Sequence, residues 1–345
     1  MNYDIIVVGG GHAGCEAAHA TSKIGLSTLL ISGDLNQLAK LPCNPSIGGP
    51  AKGIVVREID ALGGIQGKIA DITQIQTKML NSSKGPAVQA LRVQSDKIEY
   101  PKQMRKALEN LKHLTLLEAL VEEVLIENKK AIGVKLSDGT KLYASAVILT
   151  TGTYLNSKTL RGHDFKIEGP DGEPTTYGLS LQLAKLGFDV TRLKTGTPPR
   201  IKKDSIDYTK VSLEPGDEEV TNFSFDGYIE NLSGVEVPCY LTYTNLEIHD
   251  IIMNNLEASA MYGGVIEGVG PRYCPSIEDK VVKFADKNQH QVFIEPEGLD
   301  TNEMYVGGMS SSLPEDVQYA MYRSVAGLEN AKIVRNAYAI EYDCI

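Results

Sequence analysis

A short glycine-rich segment near the start of the chain restricts most strongly what the chain can fold into. Residues 9–14 read Gly-Gly-Gly-His-Ala-Gly and match the pattern G-x-G-x-x-G. An apolar run at residues 4–8 precedes them, an alanine-rich stretch at 15–24 follows, and a second apolar run lies at 28–31. A buried strand, a glycine turn, a helix and a second strand in this order are typical of dinucleotide-binding folds. The segment therefore predicts a Rossmann-like unit.

Each glycine of the pattern has a separate physical role. Gly9 permits a tight turn, Gly11 lets the backbone approach a pyrophosphate, and Gly14 lets the helix lie close to the strand. The amino end of the helix then points at the phosphates. The residues expected to hold the dinucleotide are Gly9, Gly10, Gly11, His12, Ala13 and Gly14.

The acidic residue that binds a ribose in such folds is not at its usual place. It is expected about 20 residues beyond the glycines. In this chain Ser32 ends the second predicted strand, and Asp34 lies just past it. The ribose contact is therefore left open.

Composition narrows the class of protein. The chain has 345 residues, 42% of them hydrophobic, and its apolar runs are shorter than the roughly 18 residues of a membrane span, so we expect a cytoplasmic protein. Its five cysteines lack C-x-x-C spacing, which argues against a disulfide framework and a zinc site. A net charge of −10 argues against a generally basic surface, so contact with nucleic acid has to be local or come from a partner.

Two stretches after the first unit are informative. Residues 41–50 are too rich in proline and glycine for a helix, and they return the chain to the front edge of the predicted sheet. Cys43 in this stretch is either a nucleophile or a small buried residue, and the local sequence alone favours the second. Residues 92–111 predict a helix that breaks near Tyr100, because Pro101 interrupts it.

The order of the next segments bears on the cofactor. Short strand-like segments fill residues 114–145, and an apolar strand at 146–150 then runs into Thr151-Gly152. Flavoproteins with two dinucleotide sites show this order after their first glycine pattern. A plain NAD dehydrogenase would continue with further strand and helix units instead. The order therefore favours FAD over NAD as the first cofactor.

A change of pattern after residue 201 predicts a second domain. Ser276 and Asp279 have the spacing of a capping box, which predicts a helix that starts there. Its amino end, with Arg272 upstream, is either a pyrophosphate site for a second nucleotide or an ordinary capped helix with Cys274 packed beneath it. The local sequence slightly favours the second alternative.

Several separated motifs, at residues 9–14, 43–49, 84–88, 193–201, 263–280 and 338–343, resemble those of one family. This family is the flavin-dependent tRNA uridine 5-carboxymethylaminomethyl modification enzymes, called MnmG or GidA. The resemblance runs the length of the chain. Members of the family are much longer, so we expect this chain to correspond to their amino-terminal part.

The resemblance implies a fold class and a division into domains. The fold class is α/β, a Rossmann-like FAD-binding domain of the two-dinucleotide flavoprotein type with an inserted α/β nucleotide-binding domain. The FAD-binding domain is expected over residues 1–201, with a β-meander at about 114–145. The inserted NAD-binding domain is expected over 202–303, and residues 304–345 are expected to return to the first domain and to end within it.

The resemblance also implies cofactors and site residues. FAD is expected at the glycine pattern, with further contacts from Val121 and Thr176, and methylene-tetrahydrofolate is the expected co-substrate. Cys43 and Cys274 are the expected catalytic residues, since attack of a thiolate on the 6-carbon of uridine makes its 5-carbon nucleophilic. No metal is expected. NADH is expected along Gly270, Pro271, Arg272, Tyr273, Cys274, Pro275, Ser276, Ile277, Glu278, Asp279, Lys280, Val281, Val282, Lys283 and Phe284.

The expected partners are tRNA, a GTPase of the MnmE type and a second copy of the chain in a homodimer. Two alternatives remain. A flavin- and folate-dependent tRNA uridine methyltransferase shares the glycine pattern but not the Gly-Pro-Arg-Tyr-Cys-Pro sequence of residues 270–275. A non-catalytic nucleotide-binding fragment without the tRNA-binding domain is favoured by the early end of the chain and its acidic charge.

Overall fold

The computed structural model of the chain describes residues 2–219, 221–226, 236–270 and 275–345. None of the helices in these ranges is both long and apolar enough to cross a membrane. The α-helices are α1 (His12–Lys23), α2 (Lys52–Ala61), α3 (Gln66–Ile72), α4 (Glu99–Glu109), α5 (Gly178–Lys185), α6 (Leu246–Asn254), α7 (Ile277–Lys283) and α8 (Glu315–Arg323).

The strands of the described residues alternate with these helices in the first part of the chain and dominate the remainder. They are β1 (Asn2–Val8), β2 (Thr28–Ser32), β3 (Ser46–Gly48), β4 (Gln74–Leu80), β5 (Ala90–Ser95), β6 (Leu114–Glu118), β7 (Val121–Glu127), β8 (Lys130–Leu136), β9 (Lys141–Leu149), β10 (Lys158–Arg161), β11 (Asp164–Lys166), β12 (Thr191–Thr197), β13 (Arg200–Lys202), β14 (Ser212–Glu214), β15 (Cys239–Tyr243), β16 (Gln291–Pro296), β17 (Glu303–Gly307), β18 (Ile333–Arg335) and β19 (Tyr338–Cys344).

A six-stranded sheet in the order β6-β2-β1-β9-β8-β7 organises the first part of the chain. Strands β6, β2, β1 and β9 are parallel, and β8 and β7 continue the sheet in antiparallel fashion. Strand β2 is buried along almost its whole length, as expected for a parallel strand covered on both faces. Val8 pairs with Ile31 on one side and Leu149 on the other, so three strands end together at one edge. The predicted Rossmann-like α/β fold class is confirmed.

The glycine turn between β1 and α1 explains how close the helix can lie to the sheet. Gly9 has φ +105°, in the left-handed region, and a Cβ there would lie 2.2 Å from the carbonyl oxygen of Thr150. A Cβ on Gly14 would lie 1.8 Å from the carbonyl oxygen of Gly9. The predicted roles of Gly9 in the turn and Gly14 in helix packing are confirmed.

The described residues form three further sheets, and each is antiparallel. Their orders are β3-β5-β4, β11-β10-β19-β12 and β14-β15-β16-β17-β13-β18. Strand β13, at the predicted start of the inserted domain, pairs with β17, at its predicted end. Strand β19 then returns to lie between β10 and β12. The boundaries themselves, at residues 201/202 and 303/304, stay a prediction.

A segment from the second part of the chain completes the first apolar core. Phe223 is fully buried there, among residues of α1 to α4. Asp71 accepts the backbone N–H groups of Phe223 and Ser224, both at 2.8 Å, and Asp60 accepts that of Phe225 at 2.9 Å. We call residues 222–226 the strap. The strap ties the region after β14 to α2 and α3.

The helix predicted over residues 92–111 is wrong in its first part. Residues 90–95 form β5, and helix α4 begins only at Glu99. Pro101 lies in the first turn of α4, where a missing N–H breaks no helical hydrogen bond. Asp96 accepts the N–H groups of Ile98 and Glu99, at 2.9 and 3.0 Å. The proline therefore belongs to the beginning of a helix and does not interrupt one.

Replacing Gly14 by alanine tests the contact between helix and turn. Alanine favours a helix over glycine by about 1 kcal/mol. The clash with the Gly9 carbonyl outweighs this, and we expect a loss of about 3 kcal/mol or more in the free energy of unfolding. Gly11→Ala is the matched control, with an expected loss below about 1 kcal/mol. Equal stability of Gly14→Ala and the unchanged chain in urea unfolding would contradict this assignment.

Candidate cofactor site

A cavity of about 330 Å³ lies at the carboxyl ends of the parallel strands. Its walls come from the glycine turn, the end of β2 with the loop that follows, the turns after β6 and β9, and the loop before α5. The lining residues are Val8, Gly9, Gly10, Gly11, His12, Ile31, Ser32, Gly33, Asp34, Gln37, Lys40, Pro42, Ala119, Leu120, Val121, Thr150, Thr151, Gly152, Thr153, Tyr154, Glu173, Pro174, Thr176 and Leu179.

The cavity brings together six of the residues predicted for the first cofactor. These are Gly9, Gly10, Gly11, His12, Val121 and Thr176. Ala13 and Gly14 lie within α1 and are not among the lining residues. Glycine is required at position 14 because a side chain there would collide with the carbonyl of Gly9.

The amino end of α1 offers backbone N–H groups to the cavity. Gly11 is its N-cap and supplies no side-chain cap, and the first turn contains no acidic residue. Within the described part of the chain, no heavy atom lies within 4 Å of a Cβ built on Gly11. The first N–H groups of a helix have no partner inside the helix, and the helix dipole favours an anion beside them. This end of α1 therefore fits a phosphate group.

His12 is held as a neutral ring at this end of the helix. In the described structure its Nε2 atom is buried and has no hydrogen-bond partner, and its ring centroid lies 5.6 Å from that of Tyr100. Burial lowers the pKa of His12 to about 4. Because the imidazole of His12 is neutral, the partial positive charge of this part of the wall comes from the N–H groups of α1.

Ser32 and Asp34 line the cavity where a ribose is usually bound. The Asp34 carboxylate accepts the N–H of Asn36 at 2.7 Å, and the Ser32 hydroxyl donates to the Asp34 carbonyl at 3.3 Å. The acidic side chain thus caps the short turn that follows it.

An ion-pair cluster that no sequence motif predicts forms another part of the wall. The ammonium of Lys40 lies 2.6 Å from a Glu173 oxygen and 3.1 Å from an Asp171 oxygen. The hydroxyl of Tyr154 donates to Glu173 as well. Burial alone would raise the pKa of Asp171, but the Lys40 and Arg335 cations outweigh it and hold the pKa below its usual value. These residues are far apart in sequence, and only the folded chain shows that they meet.

Cys43 lies next to this cavity. It follows the lining residue Pro42, and its Sγ atom lies 3.7 Å from the carbonyl oxygen of Gly196 at the end of β12. The side chain is partly exposed. Its predicted catalytic role is not tested by these contacts.

The segment predicted to bind NADH is described only in part. Pro271, Arg272, Tyr273 and Cys274 lie outside the described residues. Helix α7 begins at the predicted capping box, which is complete, because Ser276 accepts the N–H of Asp279 and the Asp279 carboxylate accepts that of Ser276.

The remaining members of this segment divide by exposure. Ser276, Ile277, Glu278, Asp279 and Val281 are buried. At least part of each of the others reaches the surface, namely Gly270, Pro275, Lys280, Val282, Lys283 and Phe284. The capping box and two acids occupy the first turn of α7, whereas α1 leaves its first turn open. No group of three or more potential metal ligands occurs among the residues that the structure describes.

Comparison with known proteins identifies the family. The model of the glucose inhibited division protein A (GIDA) family matches residues 4–345. The chain belongs to this family. One relative, the tRNA uridine 5-carboxymethylaminomethyl modification enzyme MnmG from Acholeplasma laidlawii, is 60% identical to this chain over 345 residues. These residues are all of this chain and 56% of that protein.

A second relative and a solved structure show the same similarity over all or nearly all of this chain. The enzyme of the same name from Lachnoclostridium phytofermentans is 57% identical over 99% of this chain and 55% of its own length. The crystal structure of Aquifex aeolicus GidA in its form I crystal superimposes with a TM-score of 0.94 at 47% identity, covering this whole chain and 58% of that one. The chain therefore spans little more than half the length of the relatives it matches.

The low pKa of His12 predicts a defined dependence of stability on pH. The neutral ring is favoured in the folded chain, whereas in the unfolded chain it titrates near 6.5. The stabilisation is thus complete above about pH 6.5 and is lost as the pH falls through about 4, and it amounts to at most about 3 kcal/mol. His12→Gln should flatten urea-unfolding stability over this interval.

His113, which is exposed, provides the control. His113→Gln should leave the pH dependence of unfolding unchanged. A His12→Gln variant whose stability falls between pH 6.5 and 4 as steeply as that of the unchanged chain would contradict the low pKa of His12.

Proposed function

We propose that the chain is the flavin-binding part of a tRNA uridine 5-carboxymethylaminomethyl modification enzyme. The observation that carries this proposal is a 60% identity over the whole chain to an enzyme of that name. The cavity beside the glycine turn supports it, because its open helix end and its glycines suit a dinucleotide. The complete activity belongs to a protein about the length of those relatives.

FAD is the cofactor that we assign to the cavity. The N–H groups at the amino end of α1 would hold its pyrophosphate, with Gly11 allowing close approach. Ser32 or Asp34 would bind the ribose of the adenosine, and Val121 would contact the FAD through its backbone. Thr176 would contact the cofactor through its hydroxyl. The apolar side chains of Leu120 and Leu179 line the same cavity.

When bound, FAD supplies reversible two-electron chemistry and transfer of a one-carbon unit. The residues of the chain hold and orient the reactants. The thiolate of Cys43 or Cys274 would add to the 6-carbon of the uridine, and the electron pair of the 5,6 double bond would form the new bond from the 5-carbon to the one-carbon unit. Loss of the proton from the 5-carbon would then restore the double bond as the carbon–sulfur bond breaks and the thiolate leaves. The proximity of Cys43 to the lining residue Pro42 supports its assignment to this step. Cys274 is assigned through the family resemblance.

The remaining reactants and partners complete the proposal. NADH would reduce the flavin from the segment 270–284, where Lys280 and Lys283 reach the surface. Methylene-tetrahydrofolate would supply the one-carbon unit, and glycine or ammonia the amine. The complete enzyme would act on tRNA in the cytoplasm as a homodimer with a GTPase of the MnmE type. The domain boundaries at residues 201/202 and 303/304 belong to the same proposal.

A nucleotide-binding fragment without activity of its own is the second candidate for the isolated chain. The net charge of −10, which argues against a generally basic surface for nucleic acid, favours this description. The two candidates differ in tRNA chemistry but agree on flavin binding, so flavin binding is the first property to test.

Flavin binding is tested by the visible absorbance of the purified chain after incubation with FAD. We expect a protein-bound flavin spectrum that bleaches when NADH is added without oxygen. Gly11→Ala should weaken FAD binding by about tenfold or more, because a Cβ there occupies the space beside the phosphates.

The matched control is Gly85→Ala, at a loop position where a Cβ also meets nothing within 4 Å in the described structure. It should bind FAD like the unchanged chain. A protein that stays colourless with excess FAD would contradict the assignment of the cavity. Bound flavin that NADH fails to reduce would contradict only the second nucleotide site.

The catalytic assignment is tested in a protein of the relatives' full length. Cys43→Ser and Cys274→Ser should each abolish modification of tRNA uridine while FAD remains bound, since serine is a far weaker nucleophile than a thiolate. Cys344→Ser, on the last strand, should modify tRNA normally. Normal modification by both Cys43→Ser and Cys274→Ser would show that these cysteines only fill space.

A further inference from the structure

Arg200, the first residue of β13, is buried to within 2% exposure. A guanidinium group has five N–H donors and no acceptor. All five are engaged in this structure. The acceptors are Glu297 Oε1 at 2.8 Å, Thr197 Oγ1 at 2.6 Å, the Pro198 carbonyl at 2.8 Å, and the carbonyls of Pro42 and Cys43 at 3.0 Å each.

Two of these bonds reach the segment that contains the predicted catalytic cysteine. One Nη atom of Arg200 donates to two consecutive carbonyls, so it fixes both peptide planes around the Cys43 Cα atom. Thr197, whose hydroxyl accepts from the other Nη, also lies within 3.5 Å of both carbonyl oxygens. From these contacts we propose that Arg200 is the positioning residue of Cys43: it sets the place of the thiol relative to the cofactor cavity.

The charge of Arg200 is balanced inside the protein. Glu297, which is 3% exposed, also accepts from Lys97 at 3.0 Å and lies 3.4 Å from Arg335. Burial would raise the pKa of Glu297, but the three cations outweigh it and hold the pKa below its usual value. A buried ion pair is costly to break on one side. The guanidinium is therefore held by Glu297 at its Nε atom, while one Nη atom binds the carbonyls of Pro42 and Cys43.

The network continues from Glu297 to the cavity wall. Arg335 also lies 3.3 Å from Asp171, which pairs with Lys40 at 3.1 Å. Lys40 lines the cavity, and Pro42 does so two residues later. The segment 40–43 is thus held at both ends by one connected set of charges. This arrangement therefore sets the position of Cys43 as well as stabilising the fold.

Lysine cannot replace arginine in this role. An ammonium carries the same charge, but it is a single point with three donors and lacks the planar fork that reaches acceptors on opposite sides. Arg200→Lys therefore keeps the charge beside Glu297 and gives up carbonyl contacts. This variant therefore tests the positioning of Cys43 while the charge of Glu297 stays balanced.

The test measures the rate at which iodoacetamide alkylates Cys43, followed by peptide mass spectrometry from pH 6 to 9. Cys344, which is partly exposed, serves as the internal reference. In Arg200→Lys we expect the rate ratio of Cys43 to Cys344 to rise by about tenfold, the change that about 1.4 kcal/mol of lost restraint produces. Alkylation of Cys15 stays slow, because burial raises its pKa to about 12.

Lys97→Met is the matched control. Lys97 binds the same carboxylate as Arg200, but within the described part of the chain it forms no hydrogen bond or ion pair with residues 42 and 43. Its removal should leave the rate ratio within about twofold of the unchanged chain, well below the tenfold effect of Arg200→Lys. An equal rise in both variants, or no rise in Arg200→Lys, would overturn the proposal.

A second variant decides the question if Arg200→Lys does not fold. Thr197→Val keeps the shape of the side chain and removes the hydroxyl that bridges Arg200 to both carbonyls. It should raise the same ratio by about threefold, about half of the tenfold change on a logarithmic scale. An unchanged ratio would overturn the proposal. The catalytic importance of the position of Cys43 rests on the proposed function. The reactivity of its thiol is measured without flavin or tRNA, so the positioning proposal and the proposed function can fail separately.

Discussion

The contact between Gly14 and the Gly9 carbonyl decides where the elements around the cavity lie. Without a Cβ on either residue, α1 approaches the ends of β1 and β9 to a distance that no side chain permits. The hydroxyl of Thr150 donates to the carbonyls of Val8 and Gly9, at 2.9 Å each, and fastens the turn to the strand beside it. The open end of the helix is thereby directed over the edge where three parallel strands end. A cavity at this position follows from the backbone before any side chain is considered.

A second constraint is electrostatic and acts on the part of the cavity wall that contains Lys40 and Glu173. Four cations, Lys40, Lys97, Arg200 and Arg335, meet the carboxylates of Asp171, Glu173, Glu297 and Glu303. Equal numbers of charges make burial tolerable, because each ion keeps a partner when water is excluded. The members come from segments separated by most of the chain's length. The network therefore joins the loop after β2, the turn between β5 and α4, the loop before α5 and the antiparallel sheet around β13.

Prediction from sequence succeeded where the signal is local. The glycine pattern located β1, α1 and the cavity, and the Ser276–Asp279 spacing located the start of α7. The prediction of a helix at residues 92–95 is wrong because apolar and basic residues suit both strand and helix, and the pairing of β5 with β3 and β4 that decides between them is not local. No local pattern marks Lys40, Glu173 and Tyr154, because they meet only in the folded chain. Arg200 was part of a recognised motif, yet only the fold shows its five acceptors.

The strap also has a consequence for synthesis of the chain. The Phe223 ring fits against Gly48 so tightly that a Cβ on this glycine would lie 2.5 Å from the ring, and Asp60 and Asp71 hold the strap backbone over it. The first core is thus incomplete until residue 223 has left the ribosome, although the strands and helices around it are made much earlier. A nascent chain that pauses before this point carries an open apolar slot. Chaperones that bind exposed apolar surface would find their target there until the strap arrives.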